Sequence, residues 1–184
     1  MGPAADCDLC SGLASERLGV VCGRGALPGR LILIGEAPSV NGSNITGSPF
    51  VGDRSGRVLK YSLQTAGLST VPMYITNVVK CALPRNATPG RIHVANCRRF
   101  LVEELEASPD ALLVPLGRVA VESVLGRRRE KMLDLSGRPT RSREGRVVFP
   151  MVHPAYVVRG AYALNAYVAD FRRLAMLVAS REGG

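Results

Sequence analysis

The sequence lacks any apolar run of the length a membrane span requires; runs such as Leu31-Ile32-Leu33-Ile34 are strand-sized. Its amino terminus shows neither the basic region nor the apolar stretch of a secretory signal, so a cytoplasmic protein is expected. Internal repeats, low-complexity segments and a convincing linker are absent, which excludes solenoid architectures. Only two histidines occur. One Cys-x-x-C pair stands alone, and without a second such pair a zinc ribbon is excluded.

The 184 residues suit a single domain, 1–184, with enough chain to bury a substantial core. Lys and Arg number 24 against 15 Asp and Glu, a net charge of +9. That excess is carried mostly by arginine, in clusters at Arg98-Arg99, Arg127-Arg128-Arg129, Arg138 to Arg146 and Arg172-Arg173. It permits a polyanionic partner, and solubility alone would account for it equally well. Five cysteines are present: Cys7, Cys10, Cys22, Cys81 and Cys97. In a cytoplasmic chain, the spacing Cys7-Asp8-Leu9-Cys10 points to metal or redox chemistry rather than to a disulfide. With Cys81 and Cys97, which have fifteen residues between them, four thiolates could complete a cluster or zinc site, leaving Cys22 over.

Four apolar runs read as strands buried on both faces: Leu31 to Ile34, Met73 to Val79, Ala111 to Leu116 and Val147 to Val152. Helical periodicity lies between them. The segment Arg54 to Ala66 stops at Gly67, and Val119 to Leu125 stops near Gly126. Thr88-Pro89 is expected to open a helix carrying Ile92, Ala95, Val102 and Leu105 on one face. A last helix covers about Asn165 to Ser180. The alternation predicts an α/β fold: three layers, αβα, around a central four-stranded, mainly parallel sheet.

Such sheets bind ligands beyond the carboxyl ends of their strands. The residues there are Gly35-Glu36-Ala37-Pro38-Ser39, Asn77, Gly117 and His153. Glycines in the Gly35–Asp53 loop allow close backbone approach to a ligand. Phe50 either stacks on a planar group or packs as ordinary core. Asp53, just ahead of a helix, reads first as its N-cap. Asn77 can donate and accept through one amide, so it either pairs with an imide edge or caps a turn. His153 either hydrogen-bonds charge growing on a leaving group or is a satisfied core histidine. Arg159, six residues on, could meet phosphate.

In order, GEAP, PFVG, YITNVVKC, LGRVA and HPAYVVRG resemble the family 4 uracil-DNA glycosylases, from about Cys7 to the final helix. The cysteine pattern is similar as well. The resemblance implies a monofunctional repair hydrolase that cuts the N-glycosidic bond of a flipped-out uracil and leaves an abasic site. It also implies a [4Fe-4S] cluster on Cys7, Cys10, Cys81 and Cys97. Phe50 would stack on the base and Asn77 would read its edge. His153 would steady O2, while Gly35, Glu36, Ala37 and Ser39 would complete the pocket. Tyr156 and Arg159 belong to the segment that would enter the minor groove. The implied partner is uracil-containing DNA, single- or double-stranded, with a monomeric protein near the nucleoid.

Two features depart from that pattern. The segment Ser39 to Asn44 has no acidic residue where family 4 positions its water. Gly42, Asn44, Thr46 and Gly47, leading to Phe50 and Asp53, instead resemble family 5, which accepts deaminated purines as well. Water positioning would then fall to Asn41, to Asp53 or to backbone. Arg91-Ile92-His93 resembles an element that a related group uses to bond covalently to the abasic sugar. Here it lies four residues before Cys97, inside a helix, where an exposed histidine is the expectation. Three alternatives to uracil release therefore remain: a broader deaminated-base glycosylase, a non-catalytic or covalent uracil-DNA binding protein, and an iron–sulfur redox protein.

Overall fold

The computed structural model describes residues 6–14 and 17–181, so both ends of the expected 1–184 domain lie outside the described residues. Among these, six strands form one sheet: β1 (Arg24–Gly25), β2 (Leu31–Gly35), β3 (Met73–Asn77), β4 (Leu112–Pro115), β5 (Thr140–Arg141) and β6 (Val147–Val148). Their order is β1-β3-β2-β4-β6-β5. The inner four are parallel, and β1 and β5 pair antiparallel at the edges. The expected four-stranded core is thus present, with an edge strand added on each side. Two residues are too few for either added strand to show a hydrophobic period.

Every residue of β2 and β4 is buried, as a sheet covered on both faces requires. Besides the single-turn helices α1 (Ser11–Ala14), α2 (Ser43–Thr46) and α6 (Met132–Leu135), the coverage comes from α3 (Arg54–Thr65), α4 (Arg91–Glu106), α5 (Arg118–Leu125), α7 (Pro154–Val158) and α8 (Leu164–Ser180). From β2 the chain steps outward to β3, then crosses back over β2 to β4. Right-handed crossovers consequently put α3 on one face and α4 with α5 on the other. That reversal beside β2 opens a crevice at the carboxyl ends of the strands.

Several boundaries differ from those read in the sequence. Helix α4 begins at Arg91 with Gly90 as its N-cap, two residues beyond the expected Thr88-Pro89 start. Gly90 N–H donates to His93 Nδ1 at 3.1 Å, so His93 caps its own helix and is half-buried rather than exposed. The helix turns Cys97, Phe100, Leu101 and Glu104 inward, while Ile92 is 64% exposed. Of the expected apolar face Leu105 packs against the core while Ile92 and Ala95 are exposed, and Glu104 is buried instead as half of an ion pair. Strand β6 is shorter than the Val147–Val152 run, since Pro150 has no N–H for a ladder. The chain still bridges from Met151 to Leu116.

Candidate active site

Hydrogen bonds continue past the strand ends and carry their loops to one rim. Val78 N–H donates to the Gly35 carbonyl at 2.9 Å, Val79 N–H to Glu36 at 3.0 Å, and Gly117 N–H to Met151 at 2.8 Å. Between these loops lies a cleft of about 880 Å³, a size that admits a small planar ligand with room to spare. Glu36, Ala37, Ser39, Asn41, Phe50, Asp53, Asn77, His153, Tyr156 and Arg159 all line it, drawn from four separate stretches of chain.

Gly35 is the pivot. A Cβ there would stand 2.7 Å from two Phe50 ring carbons and would strike Asn77 Oδ1, so the bare Cα is what lets ring and amide meet. Phe50 is held at φ 55°, a left-handed conformation that costs a non-glycine residue energy. Two contacts fix it: Ser43 Oγ accepts from Phe50 N–H at 3.1 Å, and the Phe50 carbonyl lies against Gly56, where no Cβ would fit. The ring is half-buried, resting on the core beneath it while facing the cleft. Asn77 is 2% exposed, and its side-chain amide has no hydrogen-bond partner in the protein among the described residues. The amide opens onto the cleft that Asn77 lines, where it can both donate to and accept from a ligand.

His153 lies beside the same ring, its centroid 5.7 Å from that of Phe50. As N-cap of α7, it accepts Ala155 N–H through Nδ1 at 3.2 Å. An Nδ1 that accepts leaves the proton of the neutral imidazole on Nε2, free to donate. Gly117, at φ 90°, lets the backbone pass within 3.0 Å of the His153 Cβ from where its own Cβ would stand. Burial pushes the imidazole pKa down to about 4; Asp53 opposes that shift and Arg159 adds to it.

Asp53 does two jobs already. Its Oδ1 accepts Gly56 N–H at 2.7 Å, the expected N-cap of α3, and its Oδ2 accepts the Ser39 hydroxyl. Its carboxylate also faces the cleft and acts on His153. Asn41 lines the same cleft but is exposed. Glu36 is half-buried there, and burial raises its carboxyl pKa.

The mouth is basic. Arg54, Arg57, Arg118 and Arg159 line it, three of which the sequence did not single out because surface arginines are scattered along this chain. Arg159 stands 5.1 Å over the Tyr156 ring, a cation–π contact that keeps the pair together at the rim. His93 is not among the lining residues.

Away from the cleft, Cys7, Cys10, Cys81 and Cys97 are free thiols in one neighbourhood. Cys81 feels the charges of Cys7 and Cys10, and Cys97 those of Cys81 and Cys10. Burial raises the thiol pKa of both Cys81 and Cys97. Two sulfurs accept N–H bonds, Cys81 from Arg17 Nη1 at 3.3 Å and Cys10 from Asn96 Nδ2 at 3.4 Å, while the Lys80 backbone acts to lower the Cys97 thiol pKa against its burial. Among the described residues no three His, Cys, Asp or Glu side chains converge closely enough to hold a single metal ion. No helix among them is long and apolar enough to cross a membrane.

The sequence model of the uracil DNA glycosylase superfamily matches residues 22–174. The chain is 35% identical over 153 residues to the type-4 uracil-DNA glycosylase of Thermotoga maritima, covering 83% of this chain and 78% of that protein. Identity to the type-4 uracil-DNA glycosylase of Archaeoglobus fulgidus is 29% over 181 residues, 92% of this chain and 87% of that protein. A type-5 uracil-DNA glycosylase of Thermus thermophilus is 40% identical over 119 residues, 57% of this chain and 53% of that one.

Proposed function

Because the chain belongs to the uracil DNA glycosylase superfamily, we propose that it is a DNA-repair hydrolase that releases uracil from DNA. The observation that carries this reading is the meeting of Phe50, Asn77 and His153 around Gly35 at one cleft. A base flipped into the cleft stacks on Phe50. Its O4 accepts from the Asn77 amide while its N3–H donates to it, an arrangement cytosine cannot match. Breaking the bond from N1 to C1′ leaves the electron pair on the base and an oxocarbenium-like sugar. His153 donates from Nε2 to the charge gathering on O2, and it does so as a neutral imidazole.

Water then adds to C1′, and the proton it loses ends on the uracil anion, leaving neutral uracil and an abasic sugar. Asp53 is the group best placed to hold that water. It lines the cleft, where Ser39 and Gly56 fix both of its oxygens in place and leave lone pairs to spare. Asn41, exposed to solvent, is the weaker choice. The four mouth arginines and Tyr156 would meet the phosphates of the flanking strand. All these groups come from one chain, which is consistent with a monomer acting on DNA in the cytoplasm, beside the nucleoid.

Cys7, Cys10, Cys81 and Cys97 suit a [4Fe-4S] cluster. Four cysteine thiolates form its usual ligand set, N–H donors already face two of the sulfurs, and a cubane spaces its ligands more widely than a single ion does. Such a cluster would supply cross-linking, fastening the N-terminal segment to the end of β3 and to α4, since hydrolysis transfers no electron.

The test is release of uracil from a synthetic oligonucleotide, scored as an alkali-labile site. Tight binding without such a site would replace the enzyme with a binding protein. Because the cleft exceeds the volume of a pyrimidine, substrates containing hypoxanthine and xanthine belong in the same panel. Their release at rates near that of uracil would establish the broader specificity.

A further inference from the structure

Beneath Asn77 lies a buried ion pair to which the reaction above gives no part. Lys80 is 1% exposed and Glu104 is 0% exposed, with Nζ 2.6 Å from Oε2. All three ammonium protons are used: on Glu104 Oε2, on Thr76 Oγ1 at 2.6 Å and on the Asn77 main-chain carbonyl at 2.8 Å. Glu104 in turn accepts from the Thr76 hydroxyl at 2.8 Å and the Tyr74 hydroxyl at 3.3 Å. The network therefore grips Tyr74, Thr76 and Asn77, the successive anchor points of β3.

Burying two charges is a poor way to gain stability, because an apolar pair of similar volume commonly does as well. The geometry shows another use. Strand β1 pairs only with Tyr74 and Ile75, so no strand donor reaches the Asn77 carbonyl. Lys80 supplies that bond. We propose that Lys80, anchored by Glu104, is the positioning residue that fixes the Asn77 amide for reading the base edge. The proposal rests on the uracil-releasing reading of the cleft.

The test measures inhibition by free uracil, which needs a well-placed amide, alongside affinity for undamaged duplex, which does not. Three proteins are compared, each below its own Tm: the parent, Glu104→Gln, and the double variant Lys80→Met/Glu104→Leu. The double variant replaces both charges with apolar side chains and is expected to melt near the parent. Its uracil inhibition constant should rise about tenfold or more, as misplacing a recognition group does, with duplex affinity unchanged. Glu104→Gln exchanges a charge-assisted bond for a neutral one and should raise the constant roughly threefold. Inhibition equal to the parent in either folded variant overturns the proposal. Should the double variant not fold, Glu104→Gln decides alone. A parent that neither releases uracil nor is inhibited by it would overturn the functional reading instead.

Discussion

The two polar groups that flank Phe50 are held by opposite means. Asn77 ends a central strand, is buried, and sits on a charged network whose ammonium binds its carbonyl. His153 follows the short strand β6, is half-buried, and is held by neutral donors and close packing: Ala155 N–H on its ring, Gly117 against its Cβ, and the preceding Val152 N–H on Ser136 Oγ at 3.1 Å. Asn77 must keep one orientation and never titrates, so strong charges beside it do no harm. His153 must keep one protonation state, and a single strong charge beside it would change that state. The charges that do reach it, Asp53 and Arg159, act in opposite directions.

The largest effect should come from the His153 side. His153→Ala removes one donor to the departing base and should lower kcat by about 10²–10³-fold. Binding of uracil-containing DNA should fall far less, because Phe50 and Asn77 remain. Single-turnover kinetics alongside a binding titration would check this, and a matched loss of both would place His153 in ground-state binding. Gly35→Ala comes next and strikes the Asn77 side. The added methyl meets Phe50 ring carbons at 2.7 Å and collides with Asn77 Oδ1. A loss of roughly 10–10²-fold in kcat/KM is expected, with a stability cost on the order of 1–3 kcal/mol for overpacking. Activity near that of the parent would mean the cleft tolerates a shifted ring and amide.

The uneven legibility of the sequence follows the same division. Strand ends, the Gly35–Asp53 loop and His153 could be located because apolar runs and glycine punctuation mark them locally. The support beneath Asn77 could not. Glu104 lies 24 residues from Lys80, and on an amphipathic reading a glutamate marks the solvent face. This is why Ile92, Ala95, Val102 and Leu105 looked like the buried face of α4, when that face holds Cys97, Phe100, Leu101 and Glu104. The same blindness hid Ser136 and Asp170, whose link to the His153 loop is a hydrogen bond spanning 16 residues. Periodicity reports apolar faces; it says nothing of a charge or hydroxyl that finds its partner only after folding.

Ser136→Ala sharpens the comparison at the His153 side with a smaller effect. Its hydroxyl accepts from Val152 N–H and donates to Asp170 Oδ2 at 3.2 Å, while Asp170 keeps the Tyr162 hydroxyl at 2.9 Å. Loss of Ser136 strands one buried N–H, which should cost about 1–3 kcal/mol by denaturant unfolding. The activity loss should stay within about fivefold, because His153 keeps its own cap on Ala155. A loss as large as that of His153→Ala would show that Ser136 sets the imidazole orientation.

The smallest expected effect is a flat pH profile through the range where histidine usually titrates. In the unfolded chain His153 ionises near 6.5, whereas in the folded protein burial holds it at about 4. Its neutral form therefore contributes stability that is fully present above pH 6.5 and is lost progressively as pH falls toward 4. Donation from Nε2 by a neutral imidazole should persist over the same interval, so kcat should not break near 6.5 and should fall only as pH approaches 4. Arg159→Ala removes the cation that disfavours the imidazolium, and should move that acidic limb slightly upward. A kcat profile with its midpoint near 6.5 in the parent, and unmoved by Arg159→Ala, would give His153 an ordinary solvated imidazole. It would then have no need of the neutral support that sets its side of the cleft apart from that of Asn77.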